Sequence, residues 1–464
     1  MCKTRFVCWW RCCAVQSNCK IERSKKVRVI FFLLAGLILV LAGCNGLPID
    51  LAPLGQVTAT LQATPVNPAP LATQVSDPQE TEPAGTVAPP GQVTLRLWLP
   101  PQFDPNADTP AAKLLQNRLA AFTQANPGVR LEVRVKAADG PGGLYESLAV
   151  TTAAAELAMP DLVALPHPLI QSAAVKGLLR PMNGVTDALD DPDWYGYARQ
   201  LAALENSIFG LPFAGDALVQ AYYNEMEYQP ATDWAAALQL TDPLAFAAAD
   251  PQALTVLALY QAAGGKLLDE QGSLALEAGP LTQALEFLRA AEAVEVTPFW
   301  LTQFQNDAQV LEALREKRAG AAIAWLSSYK QQALENGAIA QIPTPTGQPF
   351  SMASGWAWTL TSPDPNRRQL AVALAEFLSE SSFLGDWSEA AGFLPTRPSA
   401  LQSWTSAELA ARLEPIAASA IVHPPAETTK IFGPALSEAT VKVLKRQLSP
   451  AEAAQEALNH VNLP

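Results

Sequence analysis

The chain has 464 residues, with 31 Lys and Arg against 44 Asp and Glu, and six cysteines that all lie within the first 44 residues. Removal of residues 1–43 would leave 23 basic and 43 acidic side chains, a net charge of −20. This balance argues against nucleic-acid binding, which needs a basic face to neutralise phosphates. With one cysteine left, a disulfide framework and a cysteine-based metal site are both excluded.

A basic cluster and an apolar run precede Cys44. The run, residues 29–41, is 13 residues long, whereas a membrane-spanning helix needs about 20, so the pattern favours a signal peptide. The sequence Leu41-Ala42-Gly43-Cys44 resembles the lipobox of bacterial lipoproteins. That resemblance implies a signal peptide over residues 1–43, lipidation of Cys44, and an extracytoplasmic protein anchored to the cell membrane. A transmembrane anchor with an incidental cysteine is the alternative.

Residues 45–91 contain nine Pro and no Lys, Arg or aromatic residue. A segment of this composition buries too little apolar surface to offset the entropy lost on ordering. We therefore predict that residues 44–91 form a disordered tether, which as a random coil would span roughly 40 Å.

A β-α-β unit is predicted directly after the tether. Val93–Leu99 alternates apolar and polar residues with the period of a strand, and Val129–Val135 does the same. Between them, Thr109 is placed to cap a helix with Pro110 at its first position, and Asn126-Pro127-Gly128 is placed to end it. The two strands should be parallel, as in other β-α-β units.

Strand and helix patterns continue to alternate along the chain. Residues 162–165 form a short apolar run typical of a buried strand. Helix-length patterns occur at residues 144–158, 251–263, 281–293, 367–379 and 449–461, the last with Ser449 as its N-cap. The alternation predicts an α/β fold.

Eight short phrases occur in a characteristic order. They are residues 122–129 (FTQANPGV), 159–163 (MPDLV), 177–181 (GLLRP), 210–213 (GLPF), 222–224 (YYN), 318–325 (RAGAAIAW), 354–356 (SGW) and 392–397 (GFLPTR). In this order they resemble the family 1 extracellular solute-binding proteins, the maltose-binding-like receptors of ABC importers.

The resemblance implies a two-lobed periplasmic-binding-protein fold of the type II, clamshell kind, with hinge crossings between the lobes. The crossings should lie near residues 211–217, 352–358 and 392–396. The amino-terminal lobe would comprise residues 92–213 plus 355–392. The carboxy-terminal lobe would comprise residues 214–354 plus 393–464.

Candidate ligand contacts follow from the resemblance and from the rule that open α/β sheets bind ligands beyond the carboxyl ends of their strands. A sugar offers hydroxyls to polar groups and a C–H face to aromatic rings. Each candidate has a structural alternative as a core or turn residue. The candidates are Trp356, Trp325, Asp216, Phe103, Asp104 and Trp358.

Other chemical motifs are weak. Residues 139–143 are glycine-rich but lack the Lys-Ser/Thr ending of a phosphate loop. His167, His423 and His460 lack metal-motif spacing, and no GxSxG elbow occurs. We therefore predict no metal, no cofactor and no catalytic residue.

The sequence thus predicts a monomeric, lipid-anchored receptor that captures a mono- or oligosaccharide and delivers it to the permease subunits of an ABC transporter. One alternative keeps the fold and binds a polyamine, a phosphorylated polyol or another small solute. A less favoured alternative is a secreted glycoside hydrolase, which would need two carboxylates roughly 5 to 10 Å apart at the cleft.

Overall fold

The computed structural model of the protein describes residues 92–155, 158–224, 228–269, 273–332 and 334–461. The predicted signal peptide, the predicted lipidation site Cys44 and the predicted tether lie outside the described residues. Among the helices of these ranges, none combines the length and the apolar character that crossing a bilayer requires.

The predicted β-α-β unit opens the fold. Strands β1 (Val93–Leu99) and β2 (Val129–Val135) pair in parallel over their whole length. Helix α1 (Pro110–Ala125) connects them, and the Thr109 hydroxyl oxygen accepts a hydrogen bond of 3.1 Å from the N–H of Ala112. The two strands, their parallel pairing and the predicted cap are therefore confirmed.

The remaining elements follow in chain order. The helices are α2 (Leu144–Ala154), α3 (His167–Val175), α4 (Gly196–Leu201), α5 (Trp234–Ala237), α6 (Leu254–Ala262), α7 (Ala278–Ala293), α8 (Asp307–Arg315), α9 (Leu326–Gln331), α10 (Pro365–Phe377), α11 (Ser381–Ala391), α12 (Pro398–Gln402), α13 (Ala407–Ser419), α14 (Ala426–Leu444) and α15 (Pro450–Val461). The strands are β3 (Leu162–Pro166), β4 (Ala203–Leu204), β5 (Ser207–Ile208), β6 (Gly210–Tyr223), β7 (Leu244–Ala245), β8 (Ala321–Trp325), β9 (Gly337–Ala340), β10 (Ser351–Leu360) and β11 (Ala420–Val422).

All five further predicted helices are present, with shifted ends. Helix α2 ends at Ala154, four residues before the predicted end. Helix α6 begins three residues later than predicted, because the Asp250 carboxylate accepts hydrogen bonds from the N–H groups of Gln252 and Leu254 and holds the preceding turn apart from the helix. Before α15, Ser449 and Glu452 exchange side-chain-to-backbone hydrogen bonds, which is a capping box.

Two long strands cross between the lobes. The main sheet has the order β2-β1-β3-β10-β6-β8-β7, with β11 also pairing with β10 and β9 with β6. The first half of β6 pairs with β10, whereas its second half pairs with β8 and β9. Likewise β10 pairs with β11 at its start and with β3 at its end. The protein therefore has the α/β, two-lobed clamshell fold, with β6 and β10 as hinge crossings.

A third segment joins the crossings. Leu394 and Gly215 exchange two backbone hydrogen bonds, of 2.7 and 2.8 Å. Gly215 also lies opposite Gly355, and a Cβ atom on Gly215 would lie 2.1 Å from the hydroxyl oxygen of Tyr197. The three segments that the resemblance implied as crossings thus lie side by side, packed so closely that Gly215 admits no side chain.

The apolar core follows the two sheet halves. Leu97, Leu162 and Trp358 belong to clusters around β1 and β3, whereas Val219 and Ala324 belong to a larger cluster around β8 and the second half of β6. Side chains of α4, which precedes the predicted lobe boundary at residue 213, pack in this larger cluster. The residue boundaries of the lobes stay predictions.

Candidate functional site

Three of the predicted site residues project from one face of the sheet, two on the hinge strands and one on the neighbouring strand β8. Asp216 on β6 lies opposite Ser354 on β10, and Trp356 follows Ser354 by two residues. Further along β6, Leu218 lies opposite Trp325, the last residue of β8. Residues directly opposite each other, and residues two apart on one strand, share a face of a sheet. Asp216, Trp325 and Trp356 therefore share the same face.

A cavity of about 380 Å³ lies at this face, at the carboxyl ends of the parallel strands β7 and β8. Open α/β sheets bind ligands at this edge, and the volume is within the usual range for ligand pockets. The lining comes from β6, β8, the loop after β7 and the first turns of α6, α8 and α9. It consists of Leu218, Ala247, Asp250, Gln252, Leu254, Thr255, Gln305, Asn306, Asp307, Ala308, Trp325 and Ser328.

Asp216 lies beside the cavity and is buried. Its carboxylate accepts hydrogen bonds from the N–H of Ala217 at 2.9 Å, from the N–H of Ser327 at 3.1 Å and from the Ser327 hydroxyl. Burial raises the pKa of Asp216 from 3.8 to about 7 against these hydrogen bonds, and the charge of Asp307 adds to the rise. Asp216 therefore changes protonation near neutral pH.

Two further carboxylates line the cavity itself. Asp307, in the first turn of α8, accepts hydrogen bonds from the N–H of Trp325 at 2.9 Å and from the Ser328 side chain. Burial raises the pKa of Asp307, and the charge of Asp250 contributes to the rise. Burial also raises the pKa of Asp250. Three carboxylates thus surround one end of the cavity and act on one another electrostatically.

Trp325 is the aromatic wall of the cavity. It is partly exposed, and its ring centroid lies 6.2 Å from that of His423 in an edge-on arrangement. Helix α9 begins directly after Trp325, which occupies the cap position without a side-chain cap bond, and the Ser327 and Ser328 side chains donate to Asp216 and Asp307. A partly exposed ring above polar groups suits a sugar face.

His167 and His423, distant in sequence, meet beside the crossing, with ring centroids 5.3 Å apart. The ring nitrogens of His167 lie 2.7 Å from the carbonyl oxygen of Leu201 and 3.0 Å from that of His423. The His423 ring lies 3.1 Å from the Ser354 hydroxyl, and burial lowers its pKa to about 4. The pair thus connects the end of β3 to the segment after β11 and supports the wall behind Trp325.

Two predicted contacts are not retained. Phe103 is 2% exposed and packs edge-on against Phe213 and Trp356, at centroid distances of 5.1 and 5.2 Å. Trp358 is 1% exposed and stacks on Phe213 at 3.9 Å. Both are therefore core residues, and neither offers a surface to a ligand. The sequence predicted them as contacts because residue type alone does not distinguish a ring in the core from a ring in the cleft.

Asp104 and Trp356 lie outside the cavity lining. Asp104 is partly exposed and accepts hydrogen bonds from the N–H and the side-chain amide of Asn106, so it stabilises its own turn. Trp356 is partly exposed on the face that carries Asp216. Trp356 therefore remains a candidate contact from the first-lobe side, whereas Asp104 has no structural link to the cavity.

Sequence reasoning missed Asp250, Asp307 and Thr255. Asp250 lies just before α6, which follows β7, whereas Asp307 is the first residue of α8, which precedes β8. The position of Asp250, just before the predicted helix at residues 251–263, was a usable signal. Strand β7 has only two residues, so its carboxyl end was not visible in the sequence.

Arg397, directly after the third crossing, is held by neighbouring residues. Arg397 donates to Asp191 and to the carbonyl oxygen of Ser379, both at 2.9 Å, and its guanidinium lies 3.8 Å from the Trp194 ring centroid. It is therefore a structural residue. Within the described ranges, no group of three or more His, Cys, Asp or Glu is arranged to hold a metal ion.

Comparisons with known proteins agree with this architecture. Residues 117–413 match the family model of the bacterial extracellular solute-binding proteins. No curated protein sequence matches the chain.

Solved structures share the fold at low identity. The cyclic α-maltosyl-1,6-maltose binding protein of Arthrobacter globiformis is 17% identical, with a TM-score of 0.66 over 80% of this chain and 98% of that one. The sugar-binding protein MalE of Xanthomonas citri is 18% identical, with a TM-score of 0.66 over 80% and 96%. An ABC transporter solute-binding protein of Thermotoga lettingae, bound to α-D-tagatose, is 22% identical, with a TM-score of 0.60 over 80% and 98%.

Proposed function

Because this chain belongs to the bacterial extracellular solute-binding proteins, a family whose model matches more than half of it, we propose that it captures a carbohydrate and delivers it to the permease of an ABC transporter. The observation that carries the proposal is the cavity beside the hinge strands, where the Trp325 ring stands next to Asp250 and Asp307. An aromatic wall with a few polar groups is the arrangement that binds a sugar face and its hydroxyls.

Capture needs no chemical step. A ligand held between the cavity and the first-lobe side of the hinge, where Trp356 lies, contacts both lobes only when they are closed. It therefore favours the closed state by its differential affinity for that state. Asp216 lies on β6, which both lobes share, and its hydrogen bonds to Ser327 tie that strand to the cavity wall. Micromolar capture corresponds to about 8 kcal/mol, a scale that stacking and several hydrogen bonds supply.

The cellular setting follows from the family and the sequence. Membership in an extracellular family places the protein outside the cytoplasm. We include in the proposal a lipid anchor at Cys44, a tether over residues 44–91 and a monomeric receptor. The similar structures named for maltose-type sugars or bound to tagatose support a carbohydrate as the ligand class.

Among the alternative ligands, a phosphorylated polyol is disfavoured. In the part of the chain that the structure describes, no Lys or Arg lines the cavity, and Arg397 is committed to Asp191 and to the Trp194 ring. A polyamine is compatible with the charge of the carboxylates and remains the alternative that this charge favours.

A thermal unfolding screen tests the proposal. The purified chain from residue 92 onward is melted with mono- and oligosaccharides, with spermidine and with phosphorylated polyols. Ligand at 100 times its Kd stabilises the folded state by about 2.7 kcal/mol, so we expect a clear rise in melting temperature with at least one sugar. If all sugars leave the melting temperature unchanged while spermidine or a phosphorylated polyol raises it, the carbohydrate proposal fails.

The hydrolase alternative has its own assay. A glycosidase would release reducing ends from oligosaccharides in proportion to the protein added, whereas a receptor releases none. The carboxylates near the cavity already accept hydrogen bonds from backbone N–H groups or serine hydroxyls, which fits a binding role.

A further inference from the structure

The cavity carries negative charge without a compensating cation. Asp250 and Asp307 line it, and Asp216 adjoins it through Ser327. Of the residues that the structure describes, no Lys, Arg or His belongs to the lining. The hydrogen-bond donors to these carboxylates are backbone N–H groups and serine side chains, all neutral.

The carboxylates also act against one another. The charge of Asp250 raises the pKa of Asp307, and the charge of Asp307 raises that of Asp216. A second anion in the cavity would add to this repulsion, whereas a cation would pair with the carboxylates and relieve it. The carboxylates of the lining therefore favour a cation over an anion.

The lining also offers a polar group for a sugar hydroxyl. Thr255 lines the cavity and is 7% exposed. A threonine hydroxyl both donates and accepts hydrogen bonds, as a sugar hydroxyl does. The Trp325 ring also lines the cavity, and an aromatic ring attracts both sugar C–H groups and cations.

We propose that the ligand is a sugar with a protonated amino group, whose ammonium pairs with Asp307 and Asp250 while its ring packs on Trp325 and a hydroxyl bonds to Thr255. This inference rests on the proposed function and narrows its ligand class. A linear polyamine would satisfy the carboxylates but has no hydroxyl for Thr255 and no ring for Trp325.

Matched pyranoses test the inference. Glucosamine, glucose, N-acetylglucosamine and glucuronate, each as the monosaccharide and as the 1,4-linked disaccharide, are titrated calorimetrically at pH 5 and pH 7. We expect the free amine to bind roughly tenfold tighter than the neutral sugars at pH 7, since a charge-assisted hydrogen bond is about twice as strong as a neutral one. Glucuronate should not bind. The advantage of the amine should be smaller at pH 5 than at pH 7, because burial raises the pKa of Asp307 and of Asp250.

Variants of single carboxylates test which residue produces the preference for the amine. Asp307→Asn keeps an oxygen for the N–H of Trp325, so it should fold. The ratio of its affinity for the amine to its affinity for the neutral sugar should fall, and Asp250→Asn should lower the same ratio. Asp139→Asn removes the same charge from an exposed turn and should keep the preference. If amine and neutral sugars bind equally, the inference fails while the proposed function stands. If none of these sugars nor any other sugar binds, the proposed function itself fails.

Discussion

The carboxylate of Asp216 accepts two hydrogen bonds from Ser327, one from its N–H at 3.1 Å and one from its hydroxyl. Asp216 lies on β6, which crosses between the lobes, and Ser327 lies in the first turn of α9, directly after Trp325. The hinge strand is thus joined to the wall of the cavity by a group that titrates near neutral pH.

Replacement of Asp216 by Asn should change how stability depends on pH. The folded-state pKa of about 7 lies above the ordinary 3.8, so the folded protein binds more protons than the unfolded chain between about pH 4 and pH 7. Stability therefore falls as the pH rises through this window. The amide of the variant would keep an acceptor but would not titrate. We expect the stability of the wild type relative to Asp216→Asn to fall by about 2 to 4 kcal/mol from pH 4.5 to pH 7.5 in urea unfolding. If the stability of the wild type and of the variant depends on pH in the same way, the raised pKa of Asp216 is contradicted.

Replacement of Trp325 by Ala should weaken sugar binding. The ring is the aromatic wall of the cavity, and truncation of an aromatic anchor costs about 1 to 3 kcal/mol of binding free energy. Calorimetric titration with the sugar found in the screen measures the change. Trp300→Ala is the matched control, because Trp300 is also partly exposed but lies outside the cavity lining. Equal affinities of the two variants would remove Trp325 from the site.

Replacement of Gly215 by Ala should destabilise the crossing. The new methyl group would lie 2.1 Å from the Tyr197 hydroxyl oxygen and 2.8 Å from the carbonyl oxygen of Leu394. Overpacking of this kind costs about 1 to 3 kcal/mol. Gly128→Ala, where a Cβ atom meets nothing within 4 Å, should stay within about 0.5 kcal/mol of the wild type. Urea unfolding separates the two, and similar midpoints would refute the close packing of the crossings.

Replacement of Arg397 by Lys should also cost stability. An ammonium group cannot reproduce the fork that reaches Asp191 and Ser379 while the guanidinium stacks on Trp194. We expect a loss of about 1 to 2 kcal/mol in urea unfolding. Arg315→Lys, in an exposed pair with Glu312, should change stability by less than about 0.5 kcal/mol. If neither variant changes the free energy of unfolding, the planar guanidinium of Arg397 does not contribute to stability.

Local signals in the sequence predicted the framework well. Period-two alternation gave the bounds of β1 and β2, and Thr109 with Pro110 gave the start of α1, because these features depend on neighbouring residues only. The Asp250 turn shortened the predicted helix at residues 251–263, since a side chain bonded to the backbone in competition with the helix.

The site depended on long-range pairing and was predicted in part. Asp216, Trp325 and Trp356 share a face because β6 pairs with both β8 and β10. Phe103 and Trp358 have the same aromatic character but point into the core, where neighbouring rings surround them. Asp307 could not be foreseen as a neighbour of Asp216, since the two are far apart in the sequence and only the strand pairing brings them together.

A crystal structure of the chain with the tightest-binding sugar would show directly where the ligand lies. We expect one sugar in the cavity at the carboxyl ends of β7 and β8, with a ring against Trp325, a polar group within hydrogen-bond distance of Asp307, and contacts from both lobes. A sugar bound elsewhere, or bound with Trp325 and Asp307 both out of reach, would contradict it.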